Sequence, residues 1–238
     1  MAKIPYQDSA RYYDLIYFEK NYRKEAERLK VIISKHKKSG GKELLEAACG
    51  TGNYLRYLKN SFSCTGTDIN GAMLAIAKNK VPGLPLKKAD MITMNLHRQF
   101  DVVACLFSSI GYVRTYSNLE RTIQNFSRHA KTGGLVIIEP WLDKEAYKPD
   151  MVHMTTYDGA NIKIARLSAS KIRGNISVVD MYSLVLEKNK GARYFVERHE
   201  LGLFEKEKIL EIMKKSGLKP RFLKRGLTGR GLYVGTKK

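Results

Sequence analysis

The residues whose types and spacing most clearly suggest chemistry form a glycine-rich stretch, Glu46-Ala47-Ala48-Cys49-Gly50-Thr51-Gly52. An apolar run precedes this stretch and a helical pattern follows it, so it predicts a tight turn between a strand and a helix. Such a turn directs backbone N–H groups and a helix N-terminus at a ligand, and it favours an anionic group there. A Gly-x-Gly turn by itself more often joins the two elements without binding anything.

Two aspartates strengthen the ligand-binding interpretation. Asp68 stands at the C-terminal end of the second predicted strand, where a carboxylate can accept hydrogen bonds from both hydroxyls of a ribose. Asp90 follows the third predicted strand, on the same rim of the sheet. Ligands of open parallel sheets bind in the crevice along this rim. The turn and the two acids together therefore predict a site for a ligand that contains adenosine.

The residues around the turn also distinguish between adenosine cofactors. Leu55 stands where the dinucleotide fingerprint has its third glycine, and Asn53 stands where a Walker loop has its lysine. Glu46 would repel a pyrophosphate, but it suits an amine. N–H donors beside a carboxylate fit an amino acid, and an amino acid joined to adenosine is S-adenosylmethionine. We therefore predict S-adenosylmethionine as the cofactor.

The elements that must position these residues alternate along the chain. A helix is predicted over residues 7–38, followed by five apolar strands at 44–49, 63–68, 85–88, 100–107 and 135–139. Helices are predicted between them at 53–60, at 70–80, and on Leu119, Ile123, Phe126 and Ala130. Apolar strands alternating with helices indicate a parallel sheet covered on both faces, with right-handed crossovers. With further strands at 218–224 and 231–236, the prediction is an α/β fold whose doubly wound, Rossmann-like sheet is mostly parallel and seven-stranded.

The periodicity changes after the fifth strand. Residues 151–204 favour β-forming side chains in period-2 stretches, interrupted by turn signals such as Asp158-Gly159 and Arg173-Gly174-Asn175. This pattern predicts a small antiparallel β-sheet inserted into the main fold, before a helix at 205–216 returns the chain to it. We therefore assign residues 1–140 and 205–238 to a cofactor-binding core. Residues 141–204 are assigned to a subdomain for substrate binding or oligomerisation.

Composition and charge exclude several classes of protein. The chain is 43% hydrophobic, which is enough for a core, and its apolar runs are too short to cross a bilayer. Residues 1–8 contain no apolar segment of a signal peptide, and three cysteines without C-x-x-C spacing indicate neither a disulfide scaffold nor a metal site. We therefore expect a cytoplasmic protein. Its net charge of +20 permits nucleic acid, anionic lipid or a phosphorylated small molecule as partner.

The turn and its two acids resemble the class I S-adenosylmethionine-dependent methyltransferases over residues 7–140. A narrower resemblance, over nearly the whole chain, is to the N,N-dimethyltransferases that modify aminosugars carried on thymidine diphosphate. The stretches that carry it are Tyr13-Asp14-Leu15, Tyr22-x-x-Glu25-Ala26, Phe107-Ser108-Ser109-Ile110-Gly111, Glu139-Pro140-Trp141, Glu197-x-His199-x-x-x-Leu203-Phe204 and Gly229-Arg230-Gly231-Leu232.

This resemblance implies roles for individual residues. The implied cofactor contacts are Glu46, Ala47, Gly50, Gly52, Asp68, Asp90, Met91 and Leu106, with Tyr13 and Tyr22 covering the cofactor. The predicted substrate contacts are Ser108 and Ser109, just past strand four where the acceptor should lie, Arg166 and His199 on the inserted sheet, and Arg230, which the family pattern implies would reach a diphosphate. Arg166 and His199 face either substrate or solvent, and a structural hydrogen bond is the simpler role for His199. The family pattern has a histidine where this chain has Tyr112, and a free phenol, which titrates near ~10, replaces a proton-accepting histidine poorly.

Methyl transfer from a sulfonium is an in-line displacement in which the acceptor lone pair lies roughly 3–3.5 Å behind the methyl carbon. An amine acceptor must arrive deprotonated, which costs about 1.5–3 kcal/mol at neutral pH. Aromatic faces from Tyr13, Tyr17 and Phe18 would attract the sulfonium. Tyr13, whose ring would face the sulfonium, and Tyr112, which stands at the position of the family's histidine, are predicted as the catalytic residues.

Three functions remain open on these grounds. The first is a small-molecule N-methyltransferase whose acceptor carries a nucleoside diphosphate, acting alone or as a homodimer. The second is a nucleic-acid methyltransferase. The sequence after strand four, Cys105-Leu106-Phe107-Ser108-Ser109, lacks the Asn/Asp-Pro-Pro-aromatic loop of base-amine methyltransferases, and the lysines are dispersed. The third is a binding protein that keeps the cofactor pocket without turnover.

Overall fold

A computed structural model describes residues 6–238 of the chain. Its strands are β1 (Glu43–Ala47), β2 (Ser63–Asp68), β3 (Leu86–Lys88), β4 (Phe100–Cys105), β5 (Ala130–Ile138), β6 (Val152–Asp158), β7 (Ile162–Arg173), β8 (Ile176–Glu187), β9 (Gly191–Gly202), β10 (Leu218–Leu223) and β11 (Leu232–Lys237). Its helices are α1 (Tyr13–Ile16), α2 (Tyr22–His36), α3 (Leu55–Leu58), α4 (Gly71–Lys80), α5 (Tyr116–His129) and α6 (Lys206–Lys215). Residues 1–5, which belong to the stretch expected to lack a signal peptide, lie outside the described residues.

The main sheet has the predicted mixed, mostly parallel architecture. Within residues 6–238 it contains seven strands in the order β10-β11-β5-β4-β1-β2-β3. β1 to β5 pair in parallel, whereas β11 pairs antiparallel with both β5 and β10. The strand order reverses next to β1, which has β2 on one side and β4 on the other, and crevices for ligands form at such switch points. The predicted fold class is confirmed.

The central strands are apolar because helices cover both faces of the sheet. Leu44 and Val102 contribute to a cluster on the face covered by α2 and α3, while Leu45 and Val103 contribute to a cluster on the face covered by α5 and α6. All four side chains are fully buried. Burial on both faces explains why the sequences of these strands are continuously apolar instead of alternating between apolar and polar residues.

The N-terminal region differs from the predicted single helix over residues 7–38. A 3-10 turn (Ala10–Tyr12) leads into the single turn of α1, and residues 17–21 separate α1 from α2. Asn21 caps α2, since its side-chain oxygen accepts a hydrogen bond from the Lys24 backbone N–H at 2.9 Å. Asparagine satisfies an otherwise unpaired N–H at this position, and it therefore favours a helix start here over a continuous helix. The break lets the first part of the segment turn across the rim of the sheet.

Two further helix boundaries also differ from the predictions. The helix after the glycine turn is reduced to α3, one turn long, where eight residues were predicted. Ala130, predicted as the last apolar position of a helix, instead opens β5 with an extended backbone and pairs with Phe100. The same residue is buried in either element, so apolar spacing alone does not distinguish them.

The inserted segment forms the predicted antiparallel sheet after β5. Its strand order is β6-β7-β8-β9, and each strand pairs with the next along the chain. One face packs on the N-terminal segment, where Ile164 and Val185 lie against Tyr12. The N-terminal segment is thus held between the inserted sheet and the main sheet. Among residues 6–238, no helix has both the length and the apolar character needed to span a bilayer.

Candidate active site

A cavity of about 460 Å³ opens along the carboxyl ends of the parallel strands. The predicted site residues that line it are Tyr13, Gly50, Asp68, Asp90, Met91, Ser109 and Tyr112. They come from the N-terminal segment, from the last residue of β2 and from the loops after β1, β3 and β4. The sheet topology therefore brings together residues that the sequence placed on separate strand ends, as expected for a parallel sheet.

The glycine turn has the backbone conformation that its residues suggest. Gly50 and Gly52 have φ values of +54° and +76°, in the left-handed region where glycine is favoured. A Cβ on Gly52 would also lie 3.3 Å from the Ala77 Cβ, so this glycine allows α4 to pack closely. Gly50 faces open space, with no atom within 4 Å of the position its Cβ would occupy. The turn therefore leaves room for a ligand to approach its backbone.

Asp68 is tied to the glycine turn by backbone hydrogen bonds. Its Oδ2 accepts from the Gly50 N–H at 2.8 Å, and its Oδ1 accepts from the Asn70 N–H at 2.8 Å. Burial raises the pKa of Asp68 from its ordinary value, and these backbone donors act in the opposite direction. Since a buried carboxylate is stabilised by every further donor, the hydroxyls of a bound ribose would complete its surroundings.

Glu46 lies buried behind the turn with an unsatisfied oxygen. Only 2% of the residue is exposed, and its Oε2 has no hydrogen-bond partner among the described residues. Burial, with a smaller effect from Asp68, raises the pKa of Glu46 well above its ordinary value. A buried polar atom left unpaired is destabilising, and a cationic donor placed beside it would relieve this cost. Glu46 therefore fits the ammonium group of an amino-acid cofactor.

Asp90 and Met91 form the far end of the cavity. The Oδ1 of Asp90 accepts from the Ile92 N–H at 2.8 Å, which holds the loop after β3 in a turn. The Met91 carbonyl accepts a hydrogen bond from the Asn125 side chain at 3.0 Å, so α5 anchors the same loop. Ile69 and Met73 add apolar surface beside these residues. A lining that combines apolar side chains with a polar loop suits an adenine ring.

Aromatic rings in mutual contact continue from the cavity wall into the protein. We call this set the aromatic arc; in order of contact its rings are Tyr112, Tyr6, Tyr13, Tyr17, Phe107, Tyr22 and Tyr54, with centroid distances between neighbours from 4.8 to 6.4 Å. Phe18, predicted with Tyr13 and Tyr17 to attract the sulfonium, lies outside the arc. It packs on Tyr157 instead and remains 55% exposed.

The arc already holds one cation. The Lys20 ammonium lies 4.3 Å from the centroid of the Phe107 ring and 5.1 Å from that of Tyr22. It also pairs with Glu25, which accepts a hydrogen bond from the Tyr54 hydroxyl. Aromatic faces attract cations through the ring quadrupole, and this attraction is stronger where water is excluded. These contacts show that the arc suits positive charge.

A set of hydrogen bonds, here called the Asp14 latch, fastens the N-terminal segment over the glycine turn. Asp14 accepts from the Thr51 hydroxyl at 2.7 Å, the Asn53 amide at 2.9 Å and the Lys80 ammonium at 2.6 Å. Burial alone would raise the pKa of Asp14. The hydrogen bonds from Lys80, Thr51 and Asn53 together outweigh burial, so the net pKa lies below the ordinary value. The latch holds the neighbouring Tyr13 above the cavity.

Ser108 and Arg230, both predicted as substrate contacts, meet at the end of β4. The Ser108 hydroxyl donates to the Pro140 carbonyl at 2.7 Å and accepts from Arg230 Nη1 at 2.8 Å. The Arg230 guanidinium also lies 4.8 Å from the Trp141 ring centroid. Phe107 and Ser108 both have positive φ, at +48° and +64°. Such strain is uncommon outside glycine and is often found at functional sites.

Tyr112 and His199 are also in direct contact. The Tyr112 hydroxyl lies 2.8 Å from His199 Nδ1, although 87 residues separate them in the chain. His199 is 1% exposed, and its Nε2 has no hydrogen-bond partner within the described chain. Burial, together with the charge of Arg166, lowers the pKa of His199 to about 4. Arg166 itself lies on the Tyr17 ring and donates to the hydroxyls of Tyr17 and Thr155.

Nine of the predicted site residues do not line this cavity: Tyr22, Glu46, Ala47, Gly52, Leu106, Ser108, Arg166, His199 and Arg230. Their cofactor and substrate roles stay predictions. Sequence reasoning missed Tyr6, Lys20 and Tyr54, because the roles of their side chains arise from contacts with residues distant in the chain. The cavity is also lined by Ile69, Asn70 and Met73. They lie one to five residues after Asp68, and this short spacing is the signal that could have found them.

Comparison with known proteins agrees with this geometry. A family profile described as a methyltransferase domain matches residues 44–134. Over 229 residues the chain is 33% identical to the dTDP-3-amino-3,6-dideoxy-alpha-D-glucopyranose N,N-dimethyltransferase of Streptomyces fradiae, covering 95% of this chain and 89% of the relative. The chain belongs to the same methyltransferase family as this relative. The methyltransferase transfers a methyl group to nitrogen, and its cofactor is S-adenosylmethionine.

The fold of the methyltransferase is similar to those of solved structures. Streptomyces venezuelae DesVI is 31% identical, with a TM-score of 0.91 and coverage of 97% of this chain and 99% of that one. CalS10, an amino pentose methyltransferase from Micromonospora echinaspora solved with S-adenosylmethionine bound, is 27% identical, with a TM-score of 0.85 and full coverage of both chains. The likeness extends over the inserted sheet as well as the core, because both alignments cover nearly all of the methyltransferase.

Proposed function

We propose that the methyltransferase methylates the amine of an aminosugar carried on a nucleoside diphosphate, with thymidine diphosphate as the carrier. The observation that carries this proposal is the contact between Arg230 and Ser108 at the end of β4. It places a guanidinium beside the aromatic arc, which adjoins the cofactor cavity. Stacking on Trp141 leaves other N–H groups of Arg230 free to bind a diphosphate in bidentate fashion. The similarity to a dTDP-aminosugar N,N-dimethyltransferase supports the same substrate class.

The cofactor residues fall into three groups in this proposal. Asp68 holds the ribose, Glu46 pairs with the ammonium, and Asp90 with Met91 lies along the adenine. Tyr13 covers the cofactor from above, since the Asp14 latch keeps it over the cavity. When bound, S-adenosylmethionine supplies a methyl group that is already activated by its sulfonium.

What the chain itself supplies is position and an environment with little water. The aromatic arc attracts the sulfonium and, after transfer, the methylated ammonium. Burial of the acceptor under the N-terminal segment favours a neutral amine over its ammonium form, because desolvation penalises charge. A neutral amine held behind the methyl carbon needs no strong base, so positioning supplies most of the rate.

We propose that residues 141–204 form a separate subdomain with two faces. The inner face, with Arg166 and His199, bounds the acceptor site, and the outer face forms a homodimer. One row of paired residues crosses all four strands of the outer face: Met154, Leu167, Tyr182 and Val196. These side chains are 38 to 67% exposed. Contiguous apolar surface of this kind is typical of an interface.

A charge placed in the middle of this row tests the homodimer. Light scattering is expected to show twice the chain mass for the wild type and the single-chain mass for Leu167→Lys. Lys163→Ala, an exposed change at the margin of the same face, is the control and should leave the mass doubled. A wild-type protein that is monomeric at micromolar concentration would contradict the dimer.

We also propose that the enzyme acts in the cytoplasm. Cys49, Cys64 and Cys105 are all buried and unpaired, a state that a reducing compartment preserves.

The substrate proposal is tested by supplying labelled S-adenosylmethionine with three kinds of acceptor. These are nucleotide-linked aminosugars, the same aminosugars without the nucleotide, and bulk RNA. Label is expected in the nucleotide-linked aminosugars, and much less in the free sugars because the diphosphate contact is lost. Label that enters only RNA, or no acceptor at all, would refute the proposal.

A further inference from the structure

The contact between Tyr112 and His199 connects two segments at the acceptor side of the cavity. Tyr112 follows β4 and lines the cavity beside Ser109, whereas His199 lies on β9 of the inserted sheet. The Tyr6 ring packs against both, with centroids 4.6 Å from His199 and 6.4 Å from Tyr112. The pair is therefore enclosed by the N-terminal segment, and its tyrosine is the member that reaches the cavity.

We propose that this pair recognises an N–H bond of the acceptor amine. This proposal rests on the proposed function. The phenol oxygen of Tyr112 accepts a hydrogen bond from the amine, and His199 Nδ1 fixes the phenol by accepting its hydrogen. Tyr112 then touches the substrate, and His199 is a positioning residue that acts through it. The hydrogen bond turns the nitrogen lone pair toward the methyl group.

The hydrogen positions follow from the surroundings of each ring. Burial raises the pKa of Tyr112, so the phenol keeps its proton at neutral pH. Burial and Arg166 lower the pKa of His199, so the imidazole is neutral. We assign the neutral imidazole the tautomer with its hydrogen on Nε2, in which the Tyr112 hydroxyl donates and His199 Nδ1 accepts. One lone pair of the phenol oxygen accepts a hydrogen bond from the Tyr6 hydroxyl, and the other remains for the cavity.

The charged groups around the pair agree with this assignment. Arg166 faces His199 from β7 and opposes its protonation. Glu197 on β9 and Asp68 at the end of β2 act on Tyr112 and oppose phenolate formation, as does Tyr17 from the N-terminal segment. A hydrogen bond from Tyr6 acts in the opposite direction on Tyr112, but burial outweighs it, so both rings stay neutral.

A proton-relay role for the same pair is disfavoured by magnitude. Passing a proton from an amine of pKa near ~8–9 to an imidazole with a pKa of about 4 is unfavourable by roughly ten-thousand-fold or more. Releasing that proton to water at pH 7 is unfavourable by only about 10- to 100-fold. The acceptor therefore loses its proton to solvent and not to the pair, and the pair orients the nitrogen.

The need for an N–H bond on the amine sets a limit on the number of methyl transfers. A neutral primary amine and its monomethyl product both carry an N–H bond, so each can be held by Tyr112. A neutral dimethyl amine has none. The pair accordingly favours two transfers and disfavours a third.

The test compares Tyr112→Phe, His199→Leu, His199→Asn and the double variant Tyr112→Phe/His199→Leu, with Tyr57→Phe as the control. Tyr57 lies on α3, away from the cavity, and undergoes the same loss of a hydroxyl. Each protein is assayed for S-adenosylmethionine affinity by calorimetry, and for kcat and KM with primary, monomethyl and dimethyl forms of one nucleotide-linked aminosugar.

Tyr112→Phe and His199→Leu are each expected to lower kcat about 10-fold with the first two acceptors, with unchanged cofactor affinity. The double variant should lose no more than Tyr112→Phe, and His199→Asn should recover most of the activity because an amide oxygen can replace Nδ1. The acid limb of the pH profile, set by the amine, should stay in place. Wild-type kcat in Tyr112→Phe, or a shifted acid limb in His199→Leu, overturns the proposal.

Failure of the proposed function gives a different result. If the wild type methylates no nucleotide-linked aminosugar, that function fails, and the pair is judged by the ¹⁵N spectrum of His199. A hydrogen on Nε2, with an Nδ1 signal that shifts in Tyr112→Phe, supports the assigned hydrogen bond. A hydrogen on Nδ1 overturns it.

Discussion

Removal of the Asp14 carboxylate is expected to weaken cofactor binding without unfolding the protein. Asp14 joins the N-terminal segment to the glycine turn and α4 through Thr51, Asn53 and Lys80. In Asp14→Ala all three contacts are lost, and Tyr13 is no longer held over the cavity. The main sheet does not depend on them, because neither apolar cluster of its core contains any of these four side chains.

The magnitude follows from the exposure of the charges. The Asp14 side chain is 37% exposed and that of Lys80 is 16% exposed, so solvent screens their attraction in part. Hydrogen bonds to a charged group contribute about 1.5–3 kcal/mol each, and with this screening the three together contribute roughly 2 kcal/mol. If the cofactor binds the latched form, affinity falls by up to about 30-fold.

The assay is titration calorimetry with S-adenosylmethionine, beside thermal unfolding of each variant. Lys80→Met should weaken binding less than Asp14→Ala, and the double variant should show that the two effects are not additive. Glu27→Ala is the matched control, since within residues 6–238 Glu27 pairs only with Lys30, on the exposed side of α2. Wild-type affinity in Asp14→Ala would show that the segment does not cover the cofactor, and the assignment of Tyr13 would fail with it.

Three further predictions concern single residues. Asp68→Ala should abolish S-adenosylmethionine binding by calorimetry while circular dichroism stays unchanged; retained affinity would rule out the ribose contact. Arg230→Ala should raise KM for a nucleotide-linked acceptor more than it lowers kcat, and an equal loss with a phosphate-free acceptor would count against the diphosphate contact. Burial opposes ionisation of Asp101, but Ser39, the Glu43 N–H and Lys131 lower its pKa to about 2. Because this value lies below the unfolded one, the stabilisation is complete above about pH 4 and disappears as the pH falls through about 2. Denaturant unfolding of Asp101→Asn should therefore show a loss of roughly 2 kcal/mol at pH 7 and almost none at pH 2.

Local pattern in the sequence determined the framework of the site. The apolar strands and the glycine turn follow from burial on both faces of the sheet and from backbone freedom at Gly50 and Gly52. Asp68 and Asp90 were predicted to meet because all parallel strands end on one rim, so their proximity needs only the strand order. The cofactor prediction rested on these residues together with Glu46.

Other features arose only from the tertiary structure. The break before α2 depends on competition between a cap at Asn21 and helical periodicity, which spacing alone does not resolve. The Ser108–Arg230 contact joins residues 122 positions apart, and the Tyr112–His199 contact joins residues 87 apart. Such pairs leave no periodic signal, because each is created when the inserted sheet and the last strands fold back onto the rim. The framework is thus encoded by local sequence, whereas the contacts on the acceptor side are set by the packing of distant segments.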